Sequence, residues 1–263
     1  MSLEQLFQQL RSTGKKALMP FIAAGDPDWS MTERLLEEFA GVGCSMCELG
    51  FPYSDPIADG PTIQAAFTRA LQNGIKVQSI FSALKQKQSP LPTVAMLSYS
   101  IVHRLGVSYF TDEASSAGFQ GLIVPDLPWE EADDLKAACD RNGLALIPLI
   151  TPTTSDDRAK DIVQRASGFI YYVSVTGVTG QRQDLPPAII DNLGRLRELT
   201  SLPICVGFGI SEPEHIRALA PYCDGMIVGS AIVRRIESGL NEGKSQEVIA
   251  QEIGGFCKTL LNA

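Results

Sequence analysis

Short, unbroken apolar runs alternate with longer amphipathic stretches along almost the whole chain. Eight such runs occur, at residues 17–23, 45–50, 93–97, 121–124, 144–150, 168–173, 203–206 and 225–228. They do not alternate apolar with polar, which predicts parallel strands covered on both faces rather than strands with one wet face. Between them apolar positions recur at helical spacing, in segments such as residues 31–40, 62–73, 77–86, 129–142, 157–166, 187–199, 213–220 and 245–261. Ahead of the first run, Leu3, Leu6, Phe7 and Leu10 predict a short leading helix. Ser30-Met31-Thr32-Glu33 has the form of a capping box, and Pro213 suits a first helical turn.

Eight strand–helix units predict an α/β fold, a closed (β/α)8 TIM barrel with an extra N-terminal helix. An open doubly wound sheet is the competing architecture, but it favours Gly-x-Gly-x-x-Gly after the first strand. Here that turn reads Ala23-Ala24-Gly25-Asp26-Pro27. Barrels of this kind take roughly 250 residues. Nothing like a linker, low-complexity tract or charge block divides the 263 residues, so 1–263 are expected to form one domain.

Composition narrows the function classes. Hydrophobic residues make up 44%, enough for a substantial core, and the net charge is −8. Such a charge repels a phosphate backbone, so nucleic acid is not an expected partner. A small anion is still compatible, because backbone N–H groups hold anions locally. The six cysteines are scattered; Cys44 and Cys47 have redox-motif spacing but flank or enter a strand, and plain reduced core thiols are expected. The two histidines, His103 and His215, have no second ligand type at metal spacing, so no metal site is expected. No run approaches the about 20 apolar residues that cross a bilayer, and the N-terminus has no secretory pattern. A complete, mature cytoplasmic protein is expected.

Active sites of such barrels gather where the strands end, and three such places carry chemistry. Glu48 closes the second run, where a carboxylate is costly unless it is paired, hydrogen-bonded or used. Burial there favours the protonated form, suited to general acid–base work, and the Pro-rich loop that follows carries Asp55 and Asp59. The alternative is structural: Glu48 caps N–H groups of a neighbouring loop, and the two aspartates make turns. Second, Val206-Gly207-Phe208-Gly209 ends the seventh run and Gly229-Ser230 the eighth. Barrels often build a phosphate site from these two loops and a helix N-terminus; tight turns alone are the other explanation. Third, Tyr171 and Tyr172 lead into a Gly/Thr loop at 174–183, either a water-excluding lid or an exposed connector.

Longer segments add a resemblance. Leu18-Met19-Pro20-Phe21-Ile22-Ala23-Ala24-Gly25-Asp26-Pro27, Glu48-Leu49-Gly50 with Ser54-Asp55-Pro56-Ile57-Ala58-Asp59-Gly60-Pro61-Thr62-Ile63-Gln64, Gly121-Leu122-Ile123-Val124-Pro125-Asp126-Leu127-Pro128, Gly177-Val178-Thr179-Gly180 and Val206-Gly207-Phe208-Gly209-Ile210 closely resemble tryptophan synthase α subunits. The likeness runs through nearly the whole chain, and the Glu48-to-Pro61 stretch is its most specific part. It implies a lyase that reversibly splits indole-3-glycerol phosphate into indole and glyceraldehyde 3-phosphate. It implies Glu48 as the proton-transferring catalytic group and Asp59 as the carboxylate that accepts the indole N–H. Tyr171, Phe21 and Phe208 are implied to line the substrate, and Gly180, Gly209, Gly229 and Ser230 to hold its phosphate. No cofactor is implied in this chain. The implied partner is a pyridoxal-phosphate β subunit in an αββα complex, with Asp55 and Pro56 facing it. One departure stands out: where the family usually has an Asn-containing turn after the third strand, this chain reads Ser98-Tyr99-Ser100-Ile101. Two alternatives remain open at this point, a partner-independent lyase releasing free indole and a non-catalytic barrel that binds the phosphate ligand.

Overall fold

The computed structural model describes residues 1–57, 59–173, 188–207 and 209–263. Among these residues nine strand segments form one all-parallel sheet: β1 (Ala17–Ala23), β2 (Cys47–Gly50), β3 (Thr93–Met96), β4 (Gly121–Ile123), β5 (Ala145–Ile147), β6 (Leu149–Ile150), β7 (Ile170–Val173), β8 (Ile204–Gly207) and β9 (Gly225–Val228). β1 pairs with β2 on one side and with β9 on the other, bringing Ala17 beside Gly225. β5 and β6 are the two halves of the fifth predicted run, parted by Pro148. Proline has no N–H for a ladder; its carbonyl accepts from the Tyr171 N–H at 3.0 Å. The first half bonds to β4 and the second to β7, so one continuous piece of chain joins both ends of the sheet. The ring is therefore an eight-position (β/α)8 barrel, as expected.

The strands are covered on both faces, as their unbroken apolarity predicted. Along β1, Ala17 and Met19 pack inward with Met46, Val94, Ile123, Ile147, Phe169 and Ile227, while Leu18 and Ile22 pack outward against helices. The leading helix α1 (Leu3–Ser12) buries Leu3, Leu6 and Phe7 in the same inward cluster, with Phe7 and Phe169 ring centres 5.9 Å apart. It plugs the end of the barrel where the strands begin. All six cysteines are buried and free, so Cys44 and Cys47 are core thiols.

The outer helices follow the predicted order with instructive differences. α2 (Trp29–Val42) starts before the proposed capping box; Asp28 is its N-cap and accepts the Met31 N–H at 3.0 Å, which places Ser30 inside the helix. α3 (Pro61–Gln72) and α4 (Val77–Gln86) match their patterns. The segment between β3 and β4, to which no helix was assigned, forms α5 (Tyr99–Leu105) and α6 (Val107–Ser116), parted at Gly106. Residues 129–142 divide into a 3-10 turn, Trp129–Glu131, and α7 (Asp133–Arg141). α8 (Asp156–Arg165), α9 (Ala188–Leu199) and α10 (Pro213–Leu219) follow, with Pro213 in the first turn of α10. After β9 comes α11 (Ser230–Asn241), unassigned from the sequence, and then α12 (Gln246–Leu261), which packs on α2. Among the described residues no helix is long and apolar enough to cross a membrane.

One buried ion pair ties the site-bearing elements together. Just beyond β1, the fully buried Asp26 carboxylate accepts from Arg69 Nε at 2.8 Å and Nη2 at 2.9 Å. Arg69 lies on α3 and also reaches Glu237 of α11 at 3.3 Å. Burial pushes the Asp26 carboxyl up, and the Arg69 hydrogen bonds and charge pull it back. Arg69→Met should therefore destabilise the chain by about 3–5 kcal/mol near neutral pH, because it leaves a buried carboxylate without its partner. Without Arg69, burial and the nearby Glu237 charge both act to raise the Asp26 carboxyl, so the group takes up a proton more readily. The deficit should shrink as pH falls, and urea midpoints measured from pH 8 to pH 4 check this. A deficit that does not vary with pH would reject the unpaired-charge account.

Candidate active site

A pocket opens at the C-terminal ends of the strands. Phe21 of β1, Glu48 of β2, Met96 of β3, Tyr171 of β7 and Ile227 of β9 form its floor. Its walls come from the segments that follow β2, β8 and β9: Asp59 and Ile63; Gly209, Ile210 and Ser211; Gly229, Ser230, Ala231 and Arg234. Its space, ≈ 560 Å³ with part of it open to solvent, falls in the roughly 300–1,000 Å³ range of small-molecule sites.

Strand register sets the floor. Phe21 sits beside Glu48, and Glu48 beside Val94, so three neighbouring strands deliver one aromatic, one acid and apolar cover at the same height. Across the ring, the Tyr171 side chain lies over Gly207 so closely that a Cβ there would collide with its ring and hydroxyl. Glycine at 207 is thus what lets Tyr171 reach the pocket.

Glu48 is 1% exposed, and neither carboxylate oxygen has a hydrogen-bond partner among the described residues. Among the described residues, Glu48 caps no loop N–H. Burial raises its pKa to about 8, and the nearby Asp59 charge adds to the rise. Asp59 is itself raised to about 6 by burial, partly offset by the Tyr53 hydroxyl, which donates to its Oδ2 at 3.5 Å. The loop that carries Asp59 is pinned: its N–H donates to the Pro56 carbonyl at 3.1 Å, and Gln64 Nε2 donates to the carbonyls of Asp59 (2.8 Å) and Pro56 (3.2 Å). Gln64 belongs to α3, so the helix that Arg69 anchors also sets the position of Asp59. Near neutral pH this geometry offers one protonated and one ionised carboxyl group in a single cavity, the pattern that separates acid from base roles.

The opposite wall suits an anion. Gly209 adopts φ +83°, a left-handed conformation that a side chain would strain. Gly229 caps α11 without a side-chain bond; its carbonyl accepts from Ile232 and Val233, and among the described residues the Ser230 and Ala231 N–H groups at the helix start make no backbone bond. Such uncapped N–H groups at a positive helix end attract oxyanions. Buried Ser211 is held by its N–H donating to His215 Nδ1 at 3.2 Å.

Of the expected site residues, Glu48, Asp59, Tyr171, Phe21, Gly209, Gly229 and Ser230 converge on this pocket. Phe208, Gly180 and the Gly/Thr loop at 174–183 lie outside the described residues. Asp55 and Pro56 lie away from the pocket lining: Asp55 is exposed and accepts the Ser54 hydroxyl at 2.7 Å, Pro56 is buried, and Ile57 beside them is 89% exposed. The turn that departs from the family pattern is tightly built, with Ser98 Oγ donating to Asp126 Oδ2 at 2.6 Å and the Tyr99 N–H to Asp126 Oδ1 at 2.8 Å. Sequence reasoning missed Ile63, Met96, Ser211 and Arg234. Met96 ends a strand and Arg234 follows Ser230 by one helical turn, so both become readable once the elements are known. Among the described residues no cluster of three or more His, Cys, Asp or Glu could hold a metal.

Comparisons with known proteins agree with one another. The family model described as "Tryptophan synthase alpha chain" matches residues 7–261. The chain is 49% identical over 271 residues to the tryptophan synthase alpha chain of Rhodopirellula baltica, covering 99% of this chain and 98% of that one. It is 43% identical over 259 residues to that of Carboxydothermus hydrogenoformans, covering 97% of each. Among solved structures, tryptophan synthase subunit alpha of Legionella pneumophila superposes with a TM-score of 0.89 at 31% identity, covering 100% of this chain and 99% of that one. A chain of Mycobacterium tuberculosis tryptophan synthase gives 0.85 at 32% identity, covering 97% and 98%.

The buried acid should leave a signature in stability. A carboxyl group whose pKa is higher folded than unfolded holds its proton better in the folded state. The cost of burying Glu48 is therefore smallest below its ordinary value of 4.5, and the fold loses stability as pH climbs from there to about 8. Glu48→Gln should remove that slope. Relative to its own value at pH 5, the variant should gain about 3 kcal/mol on the native chain by pH 9 in urea unfolding. Parallel pH profiles would show that Glu48 is not held neutral by burial.

Proposed function

The chain belongs to the tryptophan synthase alpha chain family, and from that premise we propose that Glu48 and Asp59 carry out the reversible cleavage of indole-3-glycerol phosphate in this pocket. The products are indole and glyceraldehyde 3-phosphate. The observation that carries the reading is the buried Glu48 carboxyl, raised to about 8 and without a hydrogen-bond partner among the described residues, in one cavity with an Asp59 raised only to about 6.

The carbon–carbon bond to be broken joins indole C3 to the hydroxyl-bearing carbon of the glycerol chain. Protonated Glu48 gives its proton to C3, and the ring becomes an indolenine cation. Ionised Asp59 accepts the ring N–H and stabilises that positive charge. The Glu48 carboxylate then takes the proton from the glycerol hydroxyl. The O–H electrons form the aldehyde C=O, and the electrons of the breaking bond restore the indole ring. Glu48 ends as it began, so the cycle is balanced without an outside acid or base. No cofactor of this chain is needed for that route. Tyr171, Phe21 and Phe208 enclose the ring, and Gly180, Gly209, Gly229 and Ser230 bind the phosphate.

The rest of the proposal concerns partners. A pyridoxal-phosphate-bearing β subunit receives the indole in an α2β2 complex in the cytoplasm, and the loop with Asp55 and Pro56 faces it. Nothing in the comparisons favours a partner-independent lyase.

Indole release should be raised by added β subunit and follow a bell-shaped pH profile with limbs near 6 and 8, belonging to the Glu48–Asp59 pair. Glu48→Gln should lower kcat by about 10²–10⁴-fold and Asp59→Asn by about 10²–10³-fold. A Glu48→Gln variant that keeps native turnover would overturn the assignment, and turnover indifferent to the β subunit would remove the partner.

A further inference from the structure

The proposed substrate ends in a phosphate, close to a dianion near neutral pH, and it has to enter a protein of net charge −8. The pocket lining that receives it holds two acids, Glu48 and Asp59, and among the described residues one cation, Arg234. The backbone N–H groups of the anion wall carry partial charge, and a cationic side chain beside them adds full countercharge.

Arg234 stands four residues after Ser230 on α11. That spacing puts both on one helix face, one turn apart. Helical side chains lean toward the N-terminus, so the arginine is directed back over the turn that begins at Gly229 and Ser230. Arg234 is half-buried and lines the cavity. No described ion pair engages it: Glu237, the acid three residues on, is taken by Arg69 of α3. Its neighbour Arg235 is occupied elsewhere, stacked over the Phe256 ring of α12 at 3.5 Å and bonded to the Ala231 carbonyl at 2.8 Å. Of two adjacent arginines, one serves packing, and the other lines the cavity one helical turn from Ser230.

We infer that Arg234 is a specificity-determining residue of the site: its guanidinium pairs with the phosphate of the substrate and makes the pocket select a phosphorylated glycerol chain over an unphosphorylated one. The inference rests on the function proposed above and extends it to a residue that neither the family resemblance nor the glycine pattern names. The guanidinium is a fork of charged donors suited to phosphate oxygens. It works together with the Gly209, Gly229 and Ser230 backbone, which fixes where the oxygens lie.

The test compares indole-3-glycerol phosphate with its dephosphorylated counterpart, indole glycerol, using the chain in complex with a β subunit. Arg234→Gln should raise KM for the phosphorylated substrate by roughly ten- to hundred-fold, as expected for losing a hydrogen-bonded charge, while kcat stays within about threefold. The preference for phosphorylated over unphosphorylated substrate, read as a ratio of kcat/KM values, should fall by the same factor. Arg234→Lys should restore most of it. An equal loss on both substrates would show a structural role and overturn the inference, and so would an unaltered ratio. Calorimetric titration with inorganic phosphate separates this inference from the reading beneath it. Binding at least tenfold weaker in Arg234→Gln upholds the anion-binding role even if the lyase reaction is absent, and equal binding in the two proteins overturns it.

Discussion

Parallel pairing all the way around a closed ring sends every strand end to the same rim. Without that constraint the site would not exist, because its acid, its aromatic floor and its anion wall lie on strands far apart in sequence. Closure comes from a short stretch in which Pro148 separates two half-strands with different neighbours. The inward side chains below the rim fill the barrel and α1 closes its base, so the site opens at the rim, where the chain can vary its loops.

Once the rim is set, burial does most of the chemistry. Glu48 has its unusual affinity for a proton because strand packing removes it from water and, among the described residues, offers it no compensating bond. Such a group opposes folding, and its cost is offset by the tightly packed surroundings, including the Asp26–Arg69 pair that fastens α3 and α11 to the end of β1. Those two helices bear Gln64, which holds the Asp59 loop, and Ser230 and Arg234, which face the anion wall. The Asp59 loop and the helix that starts at the anion wall are thus tied to one ionic joint, while Glu48 is placed by strand register.

Much of this was readable beforehand, for physical reasons. Short unbroken apolar runs alternating with amphipathic stretches favour two-sided strands, so the barrel followed from their number and spacing. A glutamate ending such a run is conspicuous, and Glu48 could be singled out from its surroundings alone. Asp59 could not; an aspartate in a Pro/Gly loop is equally a turn residue, and its place depended on the family resemblance. Local capping chemistry misled at Ser30, because Asp28 captured the Met31 N–H two residues earlier. The α5–α6 pair was not assigned because Gly106 breaks the helical periodicity into pieces too short to stand out. Arg234 was invisible for a different reason: a surface-type arginine acquires meaning only when the start of its helix is known to face a cavity.

The join between β1 and β9 has a consequence for how the molecule is made. It pairs Ala17 with Gly225, residues at opposite ends of the chain, and α12 packs over α2 near the same place. During synthesis from the N-terminus, one edge of β1 has no neighbour until almost the whole polypeptide has emerged. For most of that time the nascent chain carries an open strand edge and a hydrophobic interior exposed on one side, the condition in which partly made barrels are prone to aggregate. Completion is accordingly an all-or-none event tied to the last stretch of translation, and a C-terminal truncation that removes β9 and the helices after it would be felt first at the N-terminal strand.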